Sequence, residues 1–401
     1  MIRAASISYA VFMAVLTGLF CYGMVLVFSL NTNLEDHYEA ASDLVQDRFS
    51  ALAYAKSEFY EFEPGQIVEG PGLRSDIQHR FKKQPWGLFW NLSVQSIRHK
   101  DSLNLNYLVA PQMEESDPTL HLRDNDDPLK LSGETTLEGL VKCSGQNIKR
   151  VRITSDTKMD IVQNGAVQSA AKRLPKIALP DFDLTVFEQP VIIENAAEPV
   201  FQAFNKEVGI FNASGLLEDL SLSGQIVIQS QDTLTIAASA ILNDVIVRAP
   251  KVILKEGFKG RLQIIATQAI ELEDQVTLQY PSALIIEEDT NGKSSIIVGE
   301  DCAISGAVVL TGGPLNEEPQ HLLKIGLNSE VQGQIYCGGT LELYGNVNGQ
   351  ITASALLYQT NTTKHTNLLK DVSLKKPEHP EWLFGLDWQD EFKAPVILKK
   401  V

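Results

Sequence analysis

At 401 residues and 44% apolar composition, the chain has the length for two or three domains and the material for a sizeable core. Its formal net charge of −16 argues against nucleic acid as a partner, because phosphate binding needs clustered Lys and Arg. The four cysteines match neither a CxxC pair nor a metal motif, so no redox or metal framework is expected.

Ala4 to Leu30 contains no charged residue, and Ile7–Leu30 is long enough to cross about 30 Å of hydrocarbon as a helix. No small-residue cleavage site follows Leu30, so residues 1–30 read as an uncleaved transmembrane anchor. Past the span, residues 31–50 carry Arg48 against five acids. The positive-inside bias therefore puts the amino terminus in the cytoplasm and the bulk of the chain outside it. Residues 31–62 continue as an amphipathic stalk, with Leu34, Tyr38, Ala41, Leu44, Val45, Phe49, Leu52 and Phe59 on the expected apolar face and Pro64-Gly65 ending the pattern. Such a stalk packs either on another helix or on its own domain.

Residues 63–215 form a mixed, β-rich region. The run 81–90 is an aromatic strand with basic edges, Glu114 to Asp127 is an acidic loop, and 129–141 gives short strands punctuated by Gly. Residues 146–215 are broken by prolines and read as an insertion or small subdomain before the regular part. From 216 to 357 short apolar strands recur at about 17–18 residues. Leu234 and Ile236 fall on Val252 and Leu254; one period further, Val252 falls on Ala269 and Ala249 on Ala266. A second signal, polar-Gly-polar-β-branched, recurs as Ser223-Gly-Gln-Ile226, Gln332-Gly-Gln-Ile335 and Asn348-Gly-Gln-Ile351, and more loosely as Ser305-Gly-Ala-Val308. One turn of short strands cannot bury its inward side chains alone, and stacking the next turn continues the core. The expected fold is therefore mainly β: a parallel β-helix solenoid after a transmembrane helix and stalk, with a β-sandwich as the alternative. Two solenoid turns would separate Cys302 from Cys337 by roughly 9–10 Å, beyond disulfide reach, so buried free thiols are expected. Residues 358–401 form a tail that either caps the last turn or docks elsewhere.

The stretch 326–351, with its Gln332-Gly-Gln-Ile335 and Asn348-Gly-Gln-Ile351 corners, resembles the bactofilins, bacterial polymer-forming cytoskeletal proteins. The resemblance spans roughly residues 296–357. It implies a right-handed β-helix, no nucleotide or metal, end-to-end polymers and a scaffolding role.

The sequence contains no HExxH, P-loop, GxSxG or dinucleotide fingerprint. β-Helix enzymes that cut polysaccharides use carboxylate pairs on one face, and the candidates here are Asp181 with Asp183, Glu271 with Glu273, and Glu287-Glu288-Asp289. All three read as solvated strand faces, so no catalytic, cofactor-binding or metal-binding residue is assigned. The expected function is a non-enzymatic, membrane-anchored scaffold or assembly protein of the bacterial envelope, single-pass in the inner membrane with its bulk in the periplasm. Its partners are the lipid bilayer and either other proteins or further copies of the chain, met through the stalk or the β-helix. A pilus-like or secretion-machine component is the alternative, and a carbohydrate-active β-helix enzyme the second.

Overall fold

The computed structural model describes residues 2–72, 74–154, 157–180, 190–194, 196–287, 292–312, 321–389 and 392–401. It is mainly β with one long amino-terminal helix, and it divides into two compact units. The first unit holds residues 1–62, 66–82 and 93–105; the second holds 63–65, 83–92 and 106–401.

In the first unit, helix α1 (Ile2–Ser57) runs without interruption, so the expected anchor and stalk are one element. Proline is absent from it, and Thr17 and Thr32 donate their hydroxyls to the carbonyls of Met13 and Phe28 one turn back. Residues 7–39 are exposed throughout. The helix is apolar enough over this part to cross a membrane. From Ala40 one face buries: Ala40, Asp43, Leu44, Asp47, Ala51 and Ala55, at spacings of three and four, with Phe59 just beyond. This corrects the expected stripe. Leu34, Tyr38, Val45 and Phe49 lie on the exposed side, and the buried side combines small residues with two aspartates. Strand Ile67–Pro71 pairs antiparallel with Ile77–Trp86, which alternates buried and exposed residues as a one-sided sheet should.

The second unit is built on parallel pairing rather than on the facing antiparallel sheets of a β-sandwich. Among the described residues, 22 strands join one sheet. Strands Lys259–Leu272, Thr277–Ile286, Ala303–Leu310, Glu330–Leu343, His321–Ile325 and Ser294–Val298 pair in that order, and the last pairs again with the first, closing a six-stranded parallel ring. Aliphatic side chains stack in columns across the ladder. Leu234, Val252, Ile270, Ile296, Leu323, Leu341 and Leu356 are successive partners and all are buried. A second column runs Ile228, Val247, Ile264, Leu284, Val308, Ile335, Ile351, Leu120 and Val141. Fully burying each such side chain is worth about 1.5–3 kcal/mol, which no single short strand could collect alone.

The expected period holds for Leu234 on Val252 and for Ala249 on Ala266. Val252 pairs with Ile270, one residue past the expected Ala269, because the ladder slips at Pro250 between Ala249 and Lys251. Three of the polar-Gly-polar-β-branched corners align, Gly306, Gly333 and Gly349 being consecutive partners, whereas the Ser223 corner is out of register, since Ile228 rather than Ile226 shares the column of Ile335 and Ile351. A Cβ on Gly333 would lie 2.0 Å from the Gly306 carbonyl oxygen, and one on Gly349 would lie 1.7 Å from that of Gly333. Only glycine lets the backbones approach this closely.

The ladder is wider than the 216–357 segment. The supposed acidic loop 114–127 contains the buried strand Leu120–Leu122. That strand pairs with Ile351–Ala353 on one side and with Val141 on the other. The supposed tail supplies the same level. Ser373–Lys375 lies between Val347–Asn348 and Thr136–Leu137, and Leu368–Lys370 pairs with Lys130–Ser132. One level is thus assembled from residues near 120 and near 370. Buried Asn367 clamps it. Its amide nitrogen donates to Asn125 Oδ1 and to the Asp127 carbonyl, both at 2.9 Å, and its backbone carbonyl accepts from Lys130 N–H at 2.7 Å. The part of the tail from Leu368 to Lys375 is therefore an interior level, while Pro395–Lys400 pairs antiparallel with Asp101–Pro111. Residues 148–169 and 191–217, expected as an insertion, form the two extremities of the ladder.

Candidate functional site

The suspected carboxylates do not converge. Glu271 accepts from Lys251 at 2.6 Å, and Glu273 accepts from Lys255 at 2.5 Å and from the Glu256 N–H at 3.1 Å. The Lys255 ammonium holds the Glu273 carboxyl below the usual range. Glu287 stands 3.6 Å from Arg248. Each carboxylate faces a cation from a neighbouring strand at a solvated surface, where such pairs contribute at most about 1 kcal/mol. Asp181, Asp183, Glu288 and Asp289 lie outside the described residues. Among the described residues no group of three or more His, Cys, Asp or Glu side chains is placed to hold a metal.

Cys143, Cys302 and Cys337 are buried free thiols. Burial pushes all three up, Cys337 to about 12, which leaves them poor nucleophiles. Cys337 pairs with Leu310 rather than stacking over Cys302, whose N–H instead donates to Ser329 Oγ at 2.9 Å.

A nucleophile-like arrangement exists in the first unit, where the sequence offered no motif. His79 contacts Asp47 Oδ2 through Nε2 at 2.8 Å and Ser96 Oγ through Nδ1 at 2.9 Å. His79 is 0% exposed, Ser96 2% and Asp47 3%, so no substrate reaches the hydroxyl. Close by, Asp43 accepts from Arg74 and from Arg98, the latter at 2.6 Å. The His79 bonds are buried, whereas the Asp43 pairs lie at the edge of this core, with Arg74 largely exposed. The only trace in the sequence is a pair of aspartates at helical spacing on the inward face of α1.

The glutamines of the corner motif have a definite task in the second unit. Gln225, Gln334 and Gln350 are all buried, and so is Gln263, which no corner contains but which shares the register column of Gln334 and Gln350. Gln263 accepts from Leu88 N–H at 2.7 Å and donates to the Trp86 carbonyl at 2.8 Å. Gln334 accepts from Leu386 N–H at 2.6 Å and donates to Gln350 Oε1. The Gln263 and Gln334 amides thus each hold a covering segment by its backbone. Around them Val227, Ile246, Ile265, Ile285, Val309 and Tyr336 pack against Trp86, Phe89, Phe204 and Phe384 in a second apolar core. Gln350 Nε2 alone of these has no protein partner.

The two extremities of the ladder are edges. Among the described residues, Val191–Ile192 pairs with the strand Gly209–Asn212 alone, and Val200–Gln202 pairs with Ser221–Gly224 alone. Val191, Ile192, Phe201 and Leu216 are exposed there. Exposed charges along this extremity are Glu194, Glu198, Glu207, Glu218 and Asp219, against Lys206. At the other extremity, Ile148–Arg150, Asp160–Asn164 and Val167–Ser169 each pair with one strand. The exposed charges there are Lys149, Arg150, Arg152 and Lys158, against Asp160 and Glu134, the latter bonded to Lys158 at 2.6 Å. One edge is acidic and the other basic. An unpaired strand edge is a template for another strand, and edges of opposite sign favour head-to-tail contact.

No family model, curated protein or solved structure matches the chain.

Proposed function

We propose that the protein is a membrane-anchored, non-enzymatic scaffold of the bacterial cell envelope, with its ladder coiled as a right-handed β-helix and assembling end to end. The observation that carries this is the pair of open ladder edges with opposite charge. A heterologous contact between unlike edges repeats without closing and yields filaments. A strand, crossover and parallel strand in one sheet turn right-handed in about 98% of cases, which supports the handedness. The bare apolar part of α1 supports the tether, and the charge bias around it supports the inner membrane with a periplasmic bulk. The corner motif and its glycine column support the likeness to bactofilins, for which the resemblance implies the same mode of growth.

Charge exchange tests the reading on full-length protein in lipid nanodiscs, by sedimentation and electron microscopy. Lys149→Glu with Arg150→Glu turns the basic edge net acidic, and Glu194→Lys with Glu198→Lys and Glu218→Lys turns the acidic edge net basic. Each variant alone stays unassembled, and mixing the two restores association. A wild-type chain that remains monomeric, or variants that assemble as it does, overturns end-to-end growth. Recovery of the full chain in the soluble fraction without detergent ends the anchor.

A pilus-like subunit is the second reading, favoured by the continuous helix whose amino-terminal part is bare and whose remainder buries a face in a unit with an antiparallel sheet. A shortened, processed amino terminus found by mass spectrometry would select it.

A further inference from the structure

We propose that a cavity of 260 Å³ on the outer side of the composite level binds a small anionic sugar of the hexuronic acid class. Its floor is a run of register partners, Thr352, His121 and Lys142, with Gln350 beside them. Its walls are the Ser116-Asp117-Pro118 turn on one side and Pro175, Lys176 and Trp388 on the other. The second wall is pinned in place. Gln389 N–H donates to the Lys176 carbonyl at 3.0 Å, Ala178 N–H to the Asp387 carbonyl at 2.8 Å, and Tyr336 Oη to the Pro175 carbonyl at 3.3 Å.

Two lining side chains carry buried nitrogens that no protein group satisfies, Gln350 Nε2 and His121 Nε2, and Gln350 is only 7% exposed. Buried polar groups are normally satisfied, so this pair is a fixed demand for a polar guest. Burial, and then the Lys142 charge, lowers the His121 pKa to about 4, so the ring is neutral at pH 7 and suited to a hydroxyl. Lys142 and Lys176 add two cations. Asp117 is the one acid among the lining residues, and it is already bound to the buried Lys393 at 2.5 and 2.6 Å. The lining therefore selects for negative charge. Trp388 offers a half-buried indole for the apolar face of a ring. The volume lies below the about 300–1,000 Å³ of drug-sized sites, which limits the guest to a single ring.

Calorimetric titration of the detergent-solubilised full chain with galacturonate, glucose and inorganic phosphate tests this. Galacturonate should saturate the site, with glucose and phosphate each at least about tenfold weaker. Gln350→Leu, and Lys176→Met at the exposed rim where folding is not at stake, should each weaken galacturonate by about tenfold. Absence of saturable galacturonate binding overturns the proposal. So does binding that is unchanged in Lys176→Met, or phosphate binding as tight as that of galacturonate, which removes the sugar ring from the claim.

Discussion

The two units solve burial by opposite means. In the ladder, columns such as Leu234–Val252–Ile270 repeat one kind of side chain at one kind of position, and the backbone pairs with its neighbours above and below. Inside the first unit, the inward face of α1 brings carboxylates to an imidazole, a hydroxyl and two guanidinium groups. The ladder core is redundant, since a neighbouring level can share the loss of a methyl group. The polar core is a chain of single dependencies, in which each member satisfies the next and removal of one leaves a buried polar group stranded.

The contrast is sharpest where the ladder gives up its redundancy. Gly333→Val sets a side chain against the Gly306 carbonyl at a residue whose φ is 138°. The expected loss exceeds about 4 kcal/mol, seen as loss of the cooperative melting transition by circular dichroism. Next comes the polar core. Asp47→Ala leaves buried His79 without its carboxylate partner and should cost about 3–5 kcal/mol in urea denaturation. Replacing Asp47 and His79 together by Leu and Phe should recover much of that, and failure to recover any would place the loss outside the pair.

A smaller effect concerns pH. The folded His121 pKa, about 4, lies below its unfolded value of 6.5, so between those values the unfolded chain binds the extra proton. This contribution to stability is fully present above pH 6.5 and is lost as pH falls toward 4. His121→Gln should flatten the slope of melting temperature against pH across that window. Smallest is Glu271→Gln, which removes a solvated pair with Lys251 and should change stability by less than about 1 kcal/mol.

What could be read from the sequence followed the same division. The repeat from Leu234 to Leu254 and the alignment of Gly333 with Gly349 rest on local periodicity, and the coordinates match them residue for residue. The slip at Pro250 was hidden because a one-residue bulge leaves the apolar pattern almost unchanged. Leu120–Leu122 was hidden by its acidic flanks, since three residues are too few to show a period against them. Asp47, His79 and Ser96 meet across three separate elements, and no spacing rule links them. Gln350 was visible as part of a motif, but its unmet donor depends on which covering segment stops short of it.

The level shared by residues near 120 and near 370 bears on the order of synthesis. Strands 129–169 leave the ribosome early, yet they join the column above Asn346–Gln359 only through Leu120–Leu122 and Leu368–Lys375. Until Asn367 has been made, Leu120–Leu122 alone bridges the two stacks, and the rest of that level stays an open edge. The late segment Leu368–Lys375 is thus the stitch that completes one continuous ladder.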